Sequence, residues 1–356
     1  MYVFNKKVLK ENYSSQTQQN KRYVYLSLCI SILMGDNSRC ISVKSNPFRA
    51  VTLFTSDPNR SSKMTTFIPK IEKLSSCVTR ILGCNPGHMT LQGTNTYLVG
   101  KGNSKILIDA GEENNSEYIS LLQTELKTNK WFISDIIVTH WHADHVGGVA
   151  NILQNVQEAS SAKVHKFPKL QPPESYIGSA PLNFIEDKQV ISAGGVSVQA
   201  FHTPGHTEDH IILQLKEEGV VFSGDNVLGE GTTVMEDLHS YMKSLQVILD
   251  LKPSVIFPGH GPVVCEPIPF VENYIQHRQE RESQILNHLK ENQGNMLTVE
   301  EIREKVYKDL AASLHKAAEN NINLHLGKLL KENKISFVDD GDVKKWSMFK
   351  EIKHSL

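Results

Sequence analysis

A chain of 356 residues, 39% hydrophobic and 22% charged, has the make-up and length of a folded protein of two or three domains, which excludes a collagen-like, low-complexity or wholly disordered chain. No apolar run approaches the roughly 18–20 residues that span a bilayer; the nearest is the eleven residues from Val24 to Met34, so no membrane partner is expected. The formal charge of −1 is uneven: residues 1–63 hold ten Lys/Arg against three Asp/Glu, a net +7, and leave −8 for the remainder, which also holds all fifteen histidines.

Residues 1–63 are rich in Ser, Asn, Gln and Lys/Arg and lack a sustained period of 2 or 3.6. Such a segment buries too little apolar surface to offset its ordering entropy and is read as a disordered extension. Its basic, Ser-rich, acid-poor composition fits an organelle transit peptide. Two other readings stand beside this one: a secretory leader built on Lys21-Arg22 and Val24 to Met34, and a protein that begins at Met64. Five scattered cysteines, Cys29, Cys40, Cys77, Cys84 and Cys265, form no C-x-x-C pair, which argues for a reducing compartment and against a cysteine-built zinc site.

Residues 64–265 read as a mixed α/β domain. Short β-branched runs fall at 96–99, 106–109, 136–139, 196–201, 211–215, 220–223 and 255–257, and helical patterns at about 115–129, 146–155 and 238–251. That alternation predicts a layered sheet core. The unusual His and Asp residues follow these strands, where loops carry function on a rigid scaffold.

Thr139-His140-Trp141-His142-Ala143-Asp144-His145 follows one buried run and precedes Gly147-Gly148, so it is expected as a strand-to-helix loop. Four imidazole and carboxylate groups within six residues converge only around a cation, and they suit Zn²⁺, Mn²⁺ or Fe²⁺. His206 follows in Thr-Pro-Gly-His-Thr, Asp225 in Ser-Gly-Asp, and His260 in Pro-Gly-His-Gly, each at a strand end beside glycine. Five histidines and two aspartates are too many for one tetrahedral zinc and suit two metals sharing a bridge.

With these motifs in this order the chain resembles the metallo-β-lactamase fold superfamily, over residues of about 75–265. The resemblance implies a four-layer αββα sandwich with two Zn²⁺ at one edge of its sheets. One metal would be held by His140, His142 and His206, the other by Asp144, His145 and His260, with Asp225 bridging. The implied chemistry is hydrolysis by a hydroxide shared between the metals, with Asp144, His145 and Asp225 closest to it. Several details narrow the branch. Antibiotic-hydrolysing members commonly carry Cys where this chain has Asp225. The 35 residues from Asp225 to His260 leave no room for the cap domain of the large RNA-processing nucleases. The ligand set is shared with the glyoxalase II-like branch, but no basic glutathione-binding signature follows His260. The strings Ile81 to Val99, Gly224 to Thr233 and Tyr241 to Leu245 are similar to an animal branch of endoribonucleases of the mitochondrial matrix. That likeness implies single-stranded RNA as partner and the mitochondrial matrix, or else the cytoplasm, as location.

Asp209 and His210 are read as groups that orient a ligand or satisfy buried backbone, and Asn226 as turn chemistry or part of a substrate-facing loop. His88 is read as a neutral loop residue and Trp141 as packing. A small thioester or ester substrate, and a non-catalytic nucleic-acid-binding protein with a structural metal, are the competing functions.

Residues 266–356 read as helical. Pro267 and Pro269 precede an amphipathic stretch from Phe270 to Leu289, Thr298 and Glu301 form a capping box, and a helix is expected over about 311–333, followed by Ile335 to Val338 and Trp346. Helices followed by a hairpin give a winged helix-like module, in which Lys328, Lys331 and Lys334 are candidate RNA contacts.

Overall fold

The computed structural model describes residues 66–169, 176–177, 180–341 and 343–349; the extension expected at 1–63 lies outside them. A first sheet holds β1 (Ile71–Lys73), β2 (Val78–Leu82), β3 (Asn95–Val99), β4 (Ser104–Ile108), β5 (Phe132–Val138), β6 (Lys163–Lys166), β7 (Tyr176–Ile177) and β8 (Ala180–Phe184), in the order 1-2-3-4-5-6-8-7. A second holds β9 (Val190–Ala193), β10 (Val196–His202), β11 (Ile211–Leu215), β12 (Val220–Gly224) and β13 (Ile256–Pro258), in the order 13-12-11-10-9.

Strand periodicity explains why the two sheets stack. Ile106 and Ile108 of β4 enter a core shared with Ile211, Leu213 and Leu215 of β11 and Phe222 of β12, while Leu107 turns the other way. Side chains two apart share a face, so alternate residues fill the space between the sheets and the rest meet helices. Leu107 lies with Tyr118, Leu122 and Leu126 of α1 (Ser116–Asn129). On the far side, Ile212 and Val221 pack with Tyr241, Leu245 and Ile248 of α4 (Leu238–Asp250). Burial on both faces makes these strands continuously apolar, which is why they are legible as runs and not as alternations. The layers are those of the expected αββα sandwich.

The helix expected at about 146–155 is α3 (Val149–Asn155), and a separate turn of helix, α2 (Ala143–Val146), takes up the end of the segment expected as a loop, with a break at Gly147-Gly148. A Cβ on Gly148 would lie 2.0 Å from the Ala110 carbonyl oxygen, so glycine lets the break pack against the end of β4. Strands β1, β2, β6, β7, β8 and β9 escape the sequence reading: in β2, β6 and β8 polar residues such as Arg80, Lys166 and Asn183 mask the apolar pattern, and β1, β7 and β9 are two to four residues long, too short to show one.

α5 (Pro267–Glu291) joins the sandwich to the C-terminal module: Val271 and Tyr274 pack with α4, and Ile285 and Leu289 pack with Ile302, Leu326 and Trp346. That module contains α6 (Val299–Val306), α7 (His315–Lys331) and the antiparallel pair β14 (Ile335–Asp340) and β15 (Val343–Met348). The capping box is formed, with Glu301 N–H donating to Thr298 Oγ1 at 3.2 Å and Thr298 N–H donating to Glu301 Oε2 at 2.8 Å. No helix among the described residues is long and apolar enough to cross a membrane. Thr298→Ala is expected to lower stability by about 1 kcal/mol and to raise amide exchange first in α6, measured by urea unfolding and hydrogen exchange.

Candidate metal centre

Parallel pairing sets where the polar residues meet. β4 and β5 are parallel neighbours, as are β12 and β13, so the ends of each pair open at the same edge. β4 ends before Asp109, β5 before Thr139-His140, β12 before Asp225 and β13 before Gly259-His260. The turn between β10 and β11 adds His206. A Cβ on Gly259 would fall 2.4 Å from Asp225 Oδ1, so this position must be bare for the ligands to close up.

All seven candidate ligands converge, as His140, His142, His206 and Asp225 in one group and Asp144, His145 and His260 in the other. In the first, His140 Nε2, His142 Nδ1 and His206 Nε2 form a triangle of 3.0, 3.0 and 3.3 Å. In the second, His145 Nε2, His260 Nε2 and Asp144 Oδ2 are 3.3, 3.3 and 3.1 Å apart. These are close to the ~3.3 Å ligand–ligand edge of a tetrahedral ion with ~2.0 Å metal–nitrogen bonds. Asp225 lies between the groups, Oδ1 at 3.4 Å from both His145 and His260 and Oδ2 at 3.7 Å from His206. Its buried Oδ1 has no hydrogen-bond donor among the described residues, an orphaned acceptor that a cation would satisfy. The residues present fit divalent metal ions.

Hydrogen bonds fix which ring nitrogen three of the histidines offer. His145 Nδ1 donates to Asp109 Oδ2 at 2.8 Å, and His206 Nδ1 donates to the Val234 carbonyl at 2.6 Å. His140 Nδ1 lies 3.0 Å from Thr139 Oγ1, which donates onward to Asp109 Oδ2 at 3.0 Å. Each ring therefore turns its Nε2 inward. Asp144 Oδ2 accepts from Thr94 Oγ1 at 3.0 Å, and Thr94 is itself clamped by Asn85. Asp109, Thr94 and Thr139 are the supporting residues that reading the sequence missed. Their only signals are an Asp at a strand end and an Asn–Thr pair nine residues apart in the string 81–99.

The other nominated residues divide. His210 Nε2 accepts the Asp225 N–H at 3.1 Å, anchoring that residue's backbone. Asp209 does not reach the ligands: it is fully buried, accepts from Thr207 Oγ1 at 2.7 Å and stands 2.6 Å from Lys166 Nζ. Asn226 is fully buried, donates to the Thr203 carbonyl and accepts Tyr241 OH through its own carbonyl, so its side chain braces a turn and does not face substrate. Lys328 and Lys334 are paired with Glu282 and Glu332, and Lys331 with Asp237, so their charge is already compensated within the fold. His88 is exposed on a turn, and Trp141 holds the Lys169 ammonium 3.9 Å from its ring centroid.

In the absence of metal the two groups differ in protonation. Burial, reinforced by neighbouring imidazole charge, pushes His140 well below the ordinary histidine value and His142 down to about 4. Burial opposes protonation at His145 and His260 too, but there Asp109, Asp225 and Asp144 prevail, carrying His145 well up and His260 to about 9. Burial would raise the Asp144 and Asp225 carboxyls, and the same two histidines instead hold both well below the carboxylate range.

A stacked two-sheet sandwich with this His/Asp cluster at its strand ends defines a metal-dependent hydrolase. Residues 89–260 match the family described as Metallo-beta-lactamase superfamily, and 298–346 match the Beta-lactamase associated winged helix domain. The chain is 46% identical over 278 residues to the Beta-lactamase-like protein 2 homolog of Drosophila melanogaster, covering 77% of this chain and 95% of that protein. It is 40% identical over 236 residues to the Atrochrysone carboxyl ACP thioesterase of Aspergillus fumigatus, covering 65% of this chain and 71% of that protein. A beta-lactamase domain protein from Burkholderia ambifaria shares the fold at a TM-score of 0.64 and 15% identity, over 78% of this chain and 93% of that one. The chain belongs to the metallo-β-lactamase superfamily.

Asp109→Asn is expected to weaken metal binding by about 10–100-fold, chiefly at the His145 group, as read by metal analysis after graded chelation. Metal-free protein is expected to melt highest near pH 6.5. His260, protonated in the fold up to about 9, contributes fully below the ordinary value of 6.5 and loses that contribution as pH rises through about 9. His142, neutral in the fold down to about 4, lowers stability as pH falls below 6.5 because the unfolded chain takes up its proton first. Asp144 and Asp225 steepen the acid side, since their contribution is lost as pH falls from about 4 toward their depressed values. Melting temperature against pH for the chelated protein checks this profile.

Proposed function

We propose that this chain is a two-zinc endoribonuclease that hydrolyses phosphodiester bonds of single-stranded RNA. The observation that carries the reading is the bridging carboxylate: Asp225 turns one oxygen to each ligand group, the arrangement expected where two ions sit about 3.5–4 Å apart. Bound there, two divalent cations supply a water acidified toward neutral pH and positive charge for the oxyanion that develops at phosphorus. The chain's own part is positioning. Asp109 and Thr139 keep His140 and His145 in one tautomer, Thr94 fixes Asp144, and His210 fixes the backbone of Asp225. The strings at 81–99 and 224–233 and the winged helix domain support RNA as substrate and the mitochondrial matrix as location. The net −8 of residues 64–356 gives no long-range attraction for RNA, so binding must come from local groups.

A second reading, hydrolysis of a thioester, is favoured by the relative named as a carboxyl ACP thioesterase. Cleavage of a fluorescent single-stranded RNA and hydrolysis of an acyl-glutathione are to be measured side by side, with a His142→Ala/Asp144→Ala protein as control and metal content determined on both. Metal-dependent RNA cleavage by the parent alone is expected, slower by at least about 10³-fold in the control. A parent with about two metals that leaves RNA intact and cleaves the thioester overturns the nuclease reading.

A further inference from the structure

A cavity of about 260 Å³ lies between the segment that follows Asp225 and the first half of α5, walled by Glu230, Phe270, Asn273, Tyr274, His277 and Arg278 among others. None of the metal ligands lines it, but one residue joins it to the centre. The Thr233 hydroxyl lies 3.1 Å from His206 Nδ1, and the Thr233 carbonyl takes the long 3.5 Å contact from Arg278 Nη2. Arg278 is 6% exposed, and among the described residues no carboxylate stands within ion-pair distance of it. Glu282, one turn further along the helix, is paired with Lys328 and Lys334.

A buried guanidinium without a carboxylate is costly in isolation and is normally matched by an anion. Its planar fork suits phosphate. His277 and the buried His325 are both pushed below the ordinary histidine value by burial and then by Arg278 and Arg281, so they stay neutral, and His277 on the cavity wall offers an anion a hydrogen bond and not a second charge. Glu230 lines the same cavity from the loop wall, so a bound anion must sit on the Arg278 side of it. The Tyr274 hydroxyl donates to the Gly231 carbonyl at 2.8 Å and holds the loop in place, while Phe270, 5.4 Å from the Tyr274 ring, gives an aromatic face. The volume is below the ~300–1,000 Å³ of a site that encloses a whole small-molecule ligand, so it accommodates one unit of a longer substrate.

We propose that this cavity is an anion subsite in which Arg278, with His277 and Asn273 beside it, holds a phosphate of the RNA strand away from the bond being cut. The proposal rests on the ribonuclease reading and supplies the local attraction which the acidic body lacks. A phosphate fixed here positions the strand relative to His206, to which Arg278 is linked through the carbonyl and hydroxyl of Thr233.

The test uses the full chain stripped of metal with a chelator, so that it cannot cut, and measures anisotropy of a fluorescent single-stranded oligoribonucleotide with inorganic phosphate as competitor. Arg278→Gln is expected to weaken binding by about tenfold or more and to remove the phosphate competition, with Arg278→Lys recovering part of both. Melting curves report whether the variants fold; if Arg278→Gln does not, His277→Ala and Asn273→Ala carry the test, each expected to weaken binding by a few-fold. A folded Arg278→Gln protein with parental RNA affinity overturns the subsite, as does a parent with no RNA affinity. Metal-loaded enzyme separates this from the wider reading. If the parent cleaves RNA and Arg278→Gln keeps the parental KM, the subsite fails and the nuclease stands. If RNA affinity depends on Arg278 and the loaded parent does not cleave RNA, the subsite stands and the nuclease reading fails.

Discussion

Asp109 receives three hydrogen bonds at the end of β4: from the Thr139 backbone N–H, from the Thr139 hydroxyl, and from Nδ1 of His145. Through Thr139 it also reaches His140, so a single carboxylate sets the tautomer and tilt of one ligand in each group. It does so from a left-handed backbone conformation, φ 59°, which turns the chain out of the strand and across the end of β5. Because β4 and β5 are parallel, this carboxylate and the loop it governs leave the sheet side by side. The rest of the centre is assembled around that fixed corner.

The centre is a crowd of polar atoms that satisfy one another only in part. Three ring nitrogens stand 3.0–3.3 Å from each other, those of His140 and His206 present lone pairs to one another because each ring's Nδ1 is already engaged, and a buried carboxylate oxygen has no donor among the described residues. Such groups are expensive to bury, and a cation between them reverses the sign of the interaction. Holding them together without one takes the apolar cores on both faces of both sheets, together with bare glycine positions that let backbone and carboxylate approach. The protonation pattern of the metal-free centre, one group neutral and the other a set of imidazolium–carboxylate contacts, is how the fold tolerates that crowding.

Beyond the sandwich, α5 contributes to both parts of the protein. Its first half closes the outer face of the second sheet and walls the cavity beside Thr233, and its second half enters the core of the winged helix domain. The C-terminal domain is therefore continuous with the surface next to His206. Lys328 and Lys331 of α7 and Lys334 just beyond it are paired with Glu282, Glu332 and Asp237, which tie α4, α5 and α7 together.

The ligand residues were legible in the sequence because metal chemistry demands particular side chains, and glycine-flanked His and Asp after apolar runs stand out against any background. The helices and continuous apolar strands were legible for the same kind of reason, a local pattern with a local cause. Asp109 and Thr94 carried no comparable mark, since an Asp or Thr at a strand end is ordinary until its partner across the sheet is known. Lys328, Lys331 and Lys334 formed a basic row along the chain, and folding brought acids from α4, α5 and the end of α7 against them. Arg278 was one charge among several on an amphipathic helix, and only the packing of α5 against the loop after Asp225 buried it with no carboxylate among the described residues paired to it. The sequence by itself determined which atoms are able to hold metal and which segments form strands and helices, because both follow from residue type and short-range spacing. Tertiary structure alone decided which charges are cancelled, which are left bare and which hydrogen bonds aim the ligands, because those depend on residues far apart in the chain arriving at the same place.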